Sequence, residues 1–136
     1  MEALRILIVD HEPDVRAALA DTLRREYPDA LISVLPDGNN LVSQLYRLGP
    51  HIVLINYSLR PNNGFVKTVL AKACLPQTRV ILVLPDDQPV YHTMAQLSGA
   101  DAWIAKPQLH LALLPTIAAK FRELSRKDAK GHERAR

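Results

Sequence analysis

The sequence predicts an α/β domain in which one parallel sheet is covered by helices on both faces. Three features lead there. Runs such as Ile6-Leu7-Ile8-Val9, Ile52-Val53-Leu54-Ile55 and Val80-Ile81-Leu82-Val83-Leu84 are apolar without alternation, the mark of strands buried on both sides. The segments between them carry apolar residues at helical spacing. The two patterns alternate five times, which calls for right-handed crossovers and a parallel sheet. A chain of 136 residues with 48% apolar content fits one globular domain.

The first strand spans Arg5 to Val9 and is closed by Asp10. Pro13 suits a first helical turn, and Glu12 and Asp14 suit the positive end of a helix dipole. Val15, Ala18, Leu19 and Leu23 then carry a helix to about Glu26, where Tyr27-Pro28-Asp29 breaks it. Leu31 to Leu35 is a short second strand. Pro36-Asp37-Gly38-Asn39-Asn40 is turn and cap chemistry. Leu41, Val42, Leu45 and Leu48 form the next helix, ended by Gly49-Pro50.

The central strand, Ile52 to Asn56, is the most apolar and ends in an amide. The loop after it runs Tyr57-Ser58-Leu59-Arg60-Pro61-Asn62-Asn63-Gly64. Phe65, Val66, Val69, Leu70 and Ala73 form a third helix, and Val80 to Leu84 a fourth strand. Val90, Met94 and Leu97 share one face of a fourth helix. Ala102 to Ala105 is a short fifth strand, followed by Lys106-Pro107 and a final helix from about Leu109 to Leu124. Pro115 is expected to distort that helix, because its ring removes a ladder hydrogen bond.

Composition excludes several classes. No apolar run approaches the roughly 18 residues of a membrane span. Met1-Glu2-Ala3-Leu4 leads straight into a strand without a secretory pattern, and Cys74 is alone. A cytoplasmic protein with a half-buried thiol is expected. The net charge of +3 is unevenly placed. From Lys120 onward seven Lys or Arg face three Asp or Glu, whereas residues 1–119 hold ten against eleven. The basicity belongs to the C-terminal end, so residues 125–136 are expected to be a solvated tail or linker after a domain of residues 1–124. No aromatic residue follows Phe121, which argues against nucleic-acid binding by this domain alone.

In open α/β sheets chemistry collects outside the carboxyl ends of the strands. Asp10 and His11 end the first strand, Asn56 the third and Lys106 the fifth. These four groups should meet at one edge. There the chain resembles the CheY-like receiver domain of two-component response regulators. The resemblance covers about residues 3–124. It rests on Ile-Leu-Ile-Val-Asp-His-Glu-Pro-Asp-Val-Arg, Pro-His-Ile-Val-Leu-Ile-Asn and Gly-Ala-Asp-Ala-Trp-Ile-Ala-Lys-Pro. It implies a flavodoxin-like (βα)5 fold with strand order 2-1-3-4-5. It also implies a site where a sensor kinase phosphorylates an aspartate that ends the third strand, beside Mg²⁺ held by an acidic pair.

Carried over residue by residue, the equipment is incomplete. Asp10 matches the first acid of the pair, and His11 replaces the second. Asn56 stands at the phosphoacceptor position and Leu84 at the switch Ser/Thr position. Trp103 matches the switch aromatic, and Lys106 is the retained lysine. An amide supplies no carboxylate nucleophile. An imidazole is a poor substitute for the hard oxygen ligands that Mg²⁺ prefers, so no cofactor is expected and Mg²⁺ binding should be weak or absent. Leucine donates no hydrogen bond to a phosphoryl oxygen. A degenerate receiver (pseudo-receiver) is therefore expected, not an enzyme, with Asp10 and Lys106 paired within about 4 Å. A conventional regulator with an atypical or engineered acceptor and a DNA-binding output domain beyond the tail is the alternative.

The resemblance places the output surface on the fourth helix, fifth strand and fifth helix, here including Tyr91, Gln96, Leu97, Trp103 and Leu111. A protein partner or a second copy of the chain is expected there, with a sensor kinase a further candidate and no membrane contact. Flavin binding is disfavoured, because His11-Glu12-Pro13-Asp14 is acidic where a phosphate loop would be needed. His51, His92, His110 and His132 lack ligand spacing relative to His11. Asn56-Tyr57-Ser58 fits a glycosylation sequon, but its place at a strand end argues against use.

Overall fold

A computed structural model describes residues 3–60 and 63–134. The strands are β1 (Arg5–Val9), β2 (Leu31–Leu35), β3 (Ile52–Asn56), β4 (Arg79–Leu84) and β5 (Ala102–Ala105). The helices are α1 (Pro13–Glu26), α2 (Leu41–Leu48), α3 (Gly64–Cys74), α4 (Pro89–Ser98) and α5 (Leu109–Arg134), with a 3-10 turn at Lys106–Gln108. All strand pairs are parallel, in the order β2-β1-β3-β4-β5. This is the expected flavodoxin-like (βα)5 arrangement.

Alternating side chains divide the core between the two faces. Ile6, Ile8, Ile52, Leu54, Ile81, Val83 and Ile104 pack with Leu19, Leu23, Leu113 and Ile117 of α1 and α5. Leu7, Val9, Val53, Ile55, Val80, Leu82 and Leu84 pack with Leu41, Leu45, Phe65, Ala71 and Ala95 of α2, α3 and α4. This explains the unbroken apolar runs, since neither face of a central strand meets water. Register places Val9 beside Ile55, Asn56 beside Val83, and Leu84 beside Ala105. The carboxyl ends of β1, β3, β4 and β5 therefore share one rim.

Two helices form where expected but turn their aliphatic stripes outward. Val66, Val69 and Leu70 of α3, and Val90, Met94 and Leu97 of α4, are exposed. The buried positions are Phe65, Lys67, Thr68 and Ala71 on α3, and Ala95 and Ser98 on α4. Small residues let a helix lie close to the sheet. The two hydroxyls are satisfied locally: Thr68 Oγ1 donates to the Gly64 carbonyl at 2.8 Å and Ser98 Oγ to the Ala95 carbonyl at 2.7 Å.

The last helix continues well past the expected end near Leu124, through Pro115, to Arg134. Proline at 115 removes the bond that the Leu111 carbonyl would accept. Both residues are exposed, so water can take that carbonyl. The side chains beyond Arg126, which carry most of the basic tail and His132, lie outside the described residues, as do Pro61 and Asn62 in the loop after Asn56.

Candidate functional site

The rim gathers the predicted polar groups around two buried side chains. Asp10 is 2% exposed and Asn56 is 3% exposed. Asn56 Nδ2 donates to Asp10 Oδ2 at 3.1 Å, and the Glu12 amide donates to Asp10 Oδ1 at 2.9 Å. Only the NH₂ side of the amide can face a carboxylate, because a carboxylate only accepts. The other end of Asn56 is also used. Its Oδ1 accepts from the Ser58 amide at 3.0 Å and from Ser58 Oγ at 2.9 Å. Asn56 is thus held at both ends, with its loop folded back over it.

The arrangement follows from local sequence. Asp10 is the first residue past β1, and its amide donates to the Leu35 carbonyl of the neighbouring strand at 3.2 Å. Its side chain then caps the turn into α1. Gly64 begins α3 directly against the end of β3. A Cβ there would overlap the backbone carbonyl oxygen of Asn56 and come within 2.8 Å of Tyr57 Cα. The glycine is required by close approach, and its amide closes the loop on the Tyr57 carbonyl at 2.8 Å.

Lys106 corrects one expectation. It does not pair with Asp10; its Nζ lies 3.1 Å from Glu12 Oε1. Both side-chain oxygens of Asp10 already have donors, and Asp10 is buried, whereas Glu12 and Lys106 meet at the surface, where each keeps water. His11 is also turned outward: its ring is exposed, with Nε2 4.0 Å from the same Glu12 Oε1. Leu84 is fully buried at the end of β4, so that part of the rim offers only hydrocarbon. Trp103 is half-buried on the α4 side, its ring centroid 5.8 Å from that of His92.

Three residues contribute in roles that the sequence reading did not assign. Glu12, read from sequence as a helix-dipole acid, is the lysine's partner. Arg16, one turn into α1, donates through Nη1 to the Asp10 carbonyl at 2.8 Å and brings positive charge to the pocket's edge. Ser58 fills the acceptor end of Asn56. Its spacing of two from a strand-end Asn is the Asx-turn pattern and could have been read.

The residues present do not fit Mg²⁺. That ion needs several oxygen donors in near-octahedral order. Here Asp10 and Asn56 spend their oxygens on protein donors, Glu12 carries the lysine, and His11 offers a nitrogen outside the pocket. Among the described residues no group of three His, Cys, Asp or Glu could hold a metal ion.

Of the five expected output-surface residues, three are exposed: Gln96, Leu97 at 81% and Leu111 at 68%. Tyr91 and Trp103 are half-buried. Tyr91 leans on Tyr57, with ring centroids 6.2 Å apart.

The chain superposes on a CheY-like response regulator receiver domain protein of Methanospirillum hungatei with a TM-score of 0.82. The match covers 93% of this chain and 99% of that one at 21% identity. The fold is that of a CheY-like response regulator receiver domain. Chemotaxis protein CheY4 of Vibrio cholerae matches with a TM-score of 0.77 over 87% of this chain and 98% of its own, at 17% identity. In sequence, response regulator protein VraR of Staphylococcus epidermidis is 24% identical over 106 residues, 76% of this chain and 50% of that protein. The chain spans about half the length of the curated relatives it matches. No protein-family model matches it. Among the described residues, no helix of this receiver fold is long and apolar enough to cross a membrane.

Proposed function

We propose that this chain is a pseudo-receiver: a cytoplasmic signalling module that binds protein partners and neither accepts a phosphoryl group nor catalyses a reaction. One observation carries the proposal. The side chain at the acceptor position is an amide whose two ends are both committed, to Asp10 and to Ser58. Phosphoryl transfer depends on a positioned nucleophile and on charge neutralisation by metal. This rim lacks the carboxylate, engages the metal-site oxygens with protein donors, and has hydrocarbon at Leu84.

Contact then takes over from phosphorylation. Helix α4 contains no Asp, Glu, Lys or Arg and exposes Val90, Met94 and Leu97. Depletion of charge beside exposed aliphatics is the composition of an interface core. With Gln96 and Leu111 it forms the surface on which a partner protein or a second copy docks.

The test has two arms. Incubation with a small acyl-phosphate donor and Mg²⁺, followed by intact mass measurement, should leave the protein unmodified; a stable phosphoryl adduct would overturn the proposal. Leu97→Glu should abolish self-association or partner capture, measured by gel filtration and cross-linking. Unchanged assembly removes α4 from consideration. The half-length match to VraR, with α5 continuing as helix to Arg134, supports a second reading in which the module is joined to an output domain.

A further inference from the structure

The two edges of the sheet are finished differently. At one edge β5 is four residues long, and Ile104 and Ala105 are buried. At the other, β2 is five residues long, and Leu31 and Val34 are 59% and 42% exposed. Edge strands are ordinarily blunted by a charge, a proline, a bulge or a covering element. Leu31-Ile32-Ser33-Val34-Leu35 has no charge and no proline, and its register against β1 runs one to one without a bulge. Arg24 reaches over it with Nη2 3.5 Å from the Ile32 carbonyl oxygen, a contact too long and too exposed to close the edge.

The open hydrogen-bonding groups can be named. In a parallel strand each residue points its N–H and C=O to one side, and successive residues alternate. The Leu31 amide donates to the Leu4 carbonyl at 2.8 Å, and the Leu35 carbonyl accepts from the Asp10 amide at 3.2 Å. Leu31, Ser33 and Leu35 therefore serve β1. Ile32 and Val34 turn their N–H and C=O groups outward, past the last strand of the sheet.

We propose that β2 is a self-pairing edge, along which two copies of the chain join antiparallel into one continuous sheet. The symmetry of the strand names a second copy as the occupant. Read outward from Ser33, Val34 answers Ile32 and Leu35 answers Leu31. A two-fold axis at Ser33 sets Ser33 beside its own copy, Ile32 beside Val34 and Leu31 beside Leu35. In that register each Ile32–Val34 pair exchanges hydrogen bonds in both directions, and like side chains meet on each face. Charge permits the approach, since residues 1–119 hold ten basic against eleven acidic residues. Asp29 and Asp37 flank the strand and come opposite each other beyond the ladder, which keeps the pairing weak. It forms at high concentration, above that at which gel filtration reads association through α4. The joint leaves α4 free on both copies, at the far side of the strand order. Under the function proposed above, the pair therefore presents two partner surfaces at once; the pairing itself does not rest on that reading.

Residue-resolved hydrogen exchange of the full chain tests this, at a low concentration and at one about a hundredfold higher. The Ile32 and Val34 amides should gain about tenfold protection on concentration. The Leu31, Ser33 and Leu35 amides, already bonded to β1, should not change. Sedimentation should show a dimer over the same range, tightening with salt as the Asp29–Asp37 repulsion is screened. Val34→Lys and Leu31→Lys, each at an exposed position on a different face, should abolish both signals. Ser33→Cys in a Cys74→Ser background should oxidise to a covalent dimer. Free exchange of Ile32 and Val34 at high concentration overturns the self-pairing and leaves the edge to some other strand. A dimer that protects other amides, or one that survives both lysine variants, also overturns it. Leu97→Glu separates this from the α4 surface. A failed α4 surface shows as unchanged association in Leu97→Glu with the Ile32 and Val34 pattern intact; loss of that pattern in Leu97→Glu overturns the β2 joint.

Discussion

Each end of the sheet holds a carboxylate, Asp10 buried and Asp101 half-buried, and the two are balanced differently. At the amino ends of β4 and β5, Asp101 Oδ2 accepts from Lys72 Nζ at 2.9 Å and from the Val80 amide at 2.8 Å. The same ammonium donates to the Thr78 and Pro76 carbonyls at 2.8 and 3.1 Å. Cation and anion meet directly, and every donor is a fixed part of the frame. At the carboxyl rim Asp10 meets a neutral amide and a backbone N–H, and the lysine stands one step outward on Glu12. The first arrangement is a staple between α3 and the starts of two strands. The second is a buried acid neutralised by hydrogen bonds alone; under the function proposed above, it is a switch site whose variable charge those bonds replace. A carboxylate withdrawn from water therefore does not by itself mark function; what decides is whether the partner is a fixed frame element or a group that stands where a ligand would go.

The largest effect is expected from restoring the acid at the rim. Asn56→Asp would set two buried carboxylates about 3.1 Å apart with no metal between them. One could relieve the repulsion only by holding a proton, as coupled carboxylates do. At neutral pH the variant should lose about 3 kcal/mol, the scale for an uncompensated buried charge. The sign can be checked. The shared proton raises one folded-state pKa above its unfolded value, so the native state binds more protons and stability falls as pH rises. Urea melts should show the variant recovering toward the parent at acid pH. A variant as stable as the parent at neutral pH would mean that the pocket admits a cation, and the contrast between the two ends would disappear.

Next is the staple. Asp101→Ala removes the acceptor for Lys72 and for the Val80 amide, leaving a half-buried ammonium with only carbonyl partners. About 2 kcal/mol of destabilisation is expected, below the fully buried scale because both side chains keep some water. Lys72→Met should cost less than Asp101→Ala, since it leaves Asp101 bound to the backbone. If both were silent in denaturant melts, the lower end would be no more than a surface pair.

How far each end was legible follows from the same contrast. Strand positions, order and rim could be read because unbroken apolar runs have one physical solution, burial on both faces. Asp10 and Asn56 could be placed because each directly closes such a run. The Lys106–Glu12 pairing could not be read. It depends on how long side chains share a surface, and the choice between Asp10 and Glu12 turns on which acid already has its oxygens occupied. The outward stripes of α3 and α4 were hidden for a related reason. A period of 3.6 shows that Val66, Val69 and Leu70 share a face, but not that Thr68, Ala71, Ala95 and Ser98 win the sheet by being small. The Lys72–Asp101 staple joins residues 29 apart in sequence, and no local pattern announces it.

The smallest effect sharpens the comparison most. Lys106→Met removes an exposed ammonium whose partner is an exposed carboxylate. Pairs of that kind contribute about 0.5 kcal/mol or less, and salt screens them further. Thermal melts at low and high salt should differ from the parent by no more than that, with the gap closing as salt rises. A larger, salt-insensitive loss would mean that the lysine reaches the buried carboxylate for much of the time. The rim would then be a second staple, with Lys106 to Asp10 as Lys72 is to Asp101. A near-zero loss instead fits a rim whose stability comes from the amide, the Glu12 N–H and Ser58. It would leave Lys106 free of any structural duty at the rim.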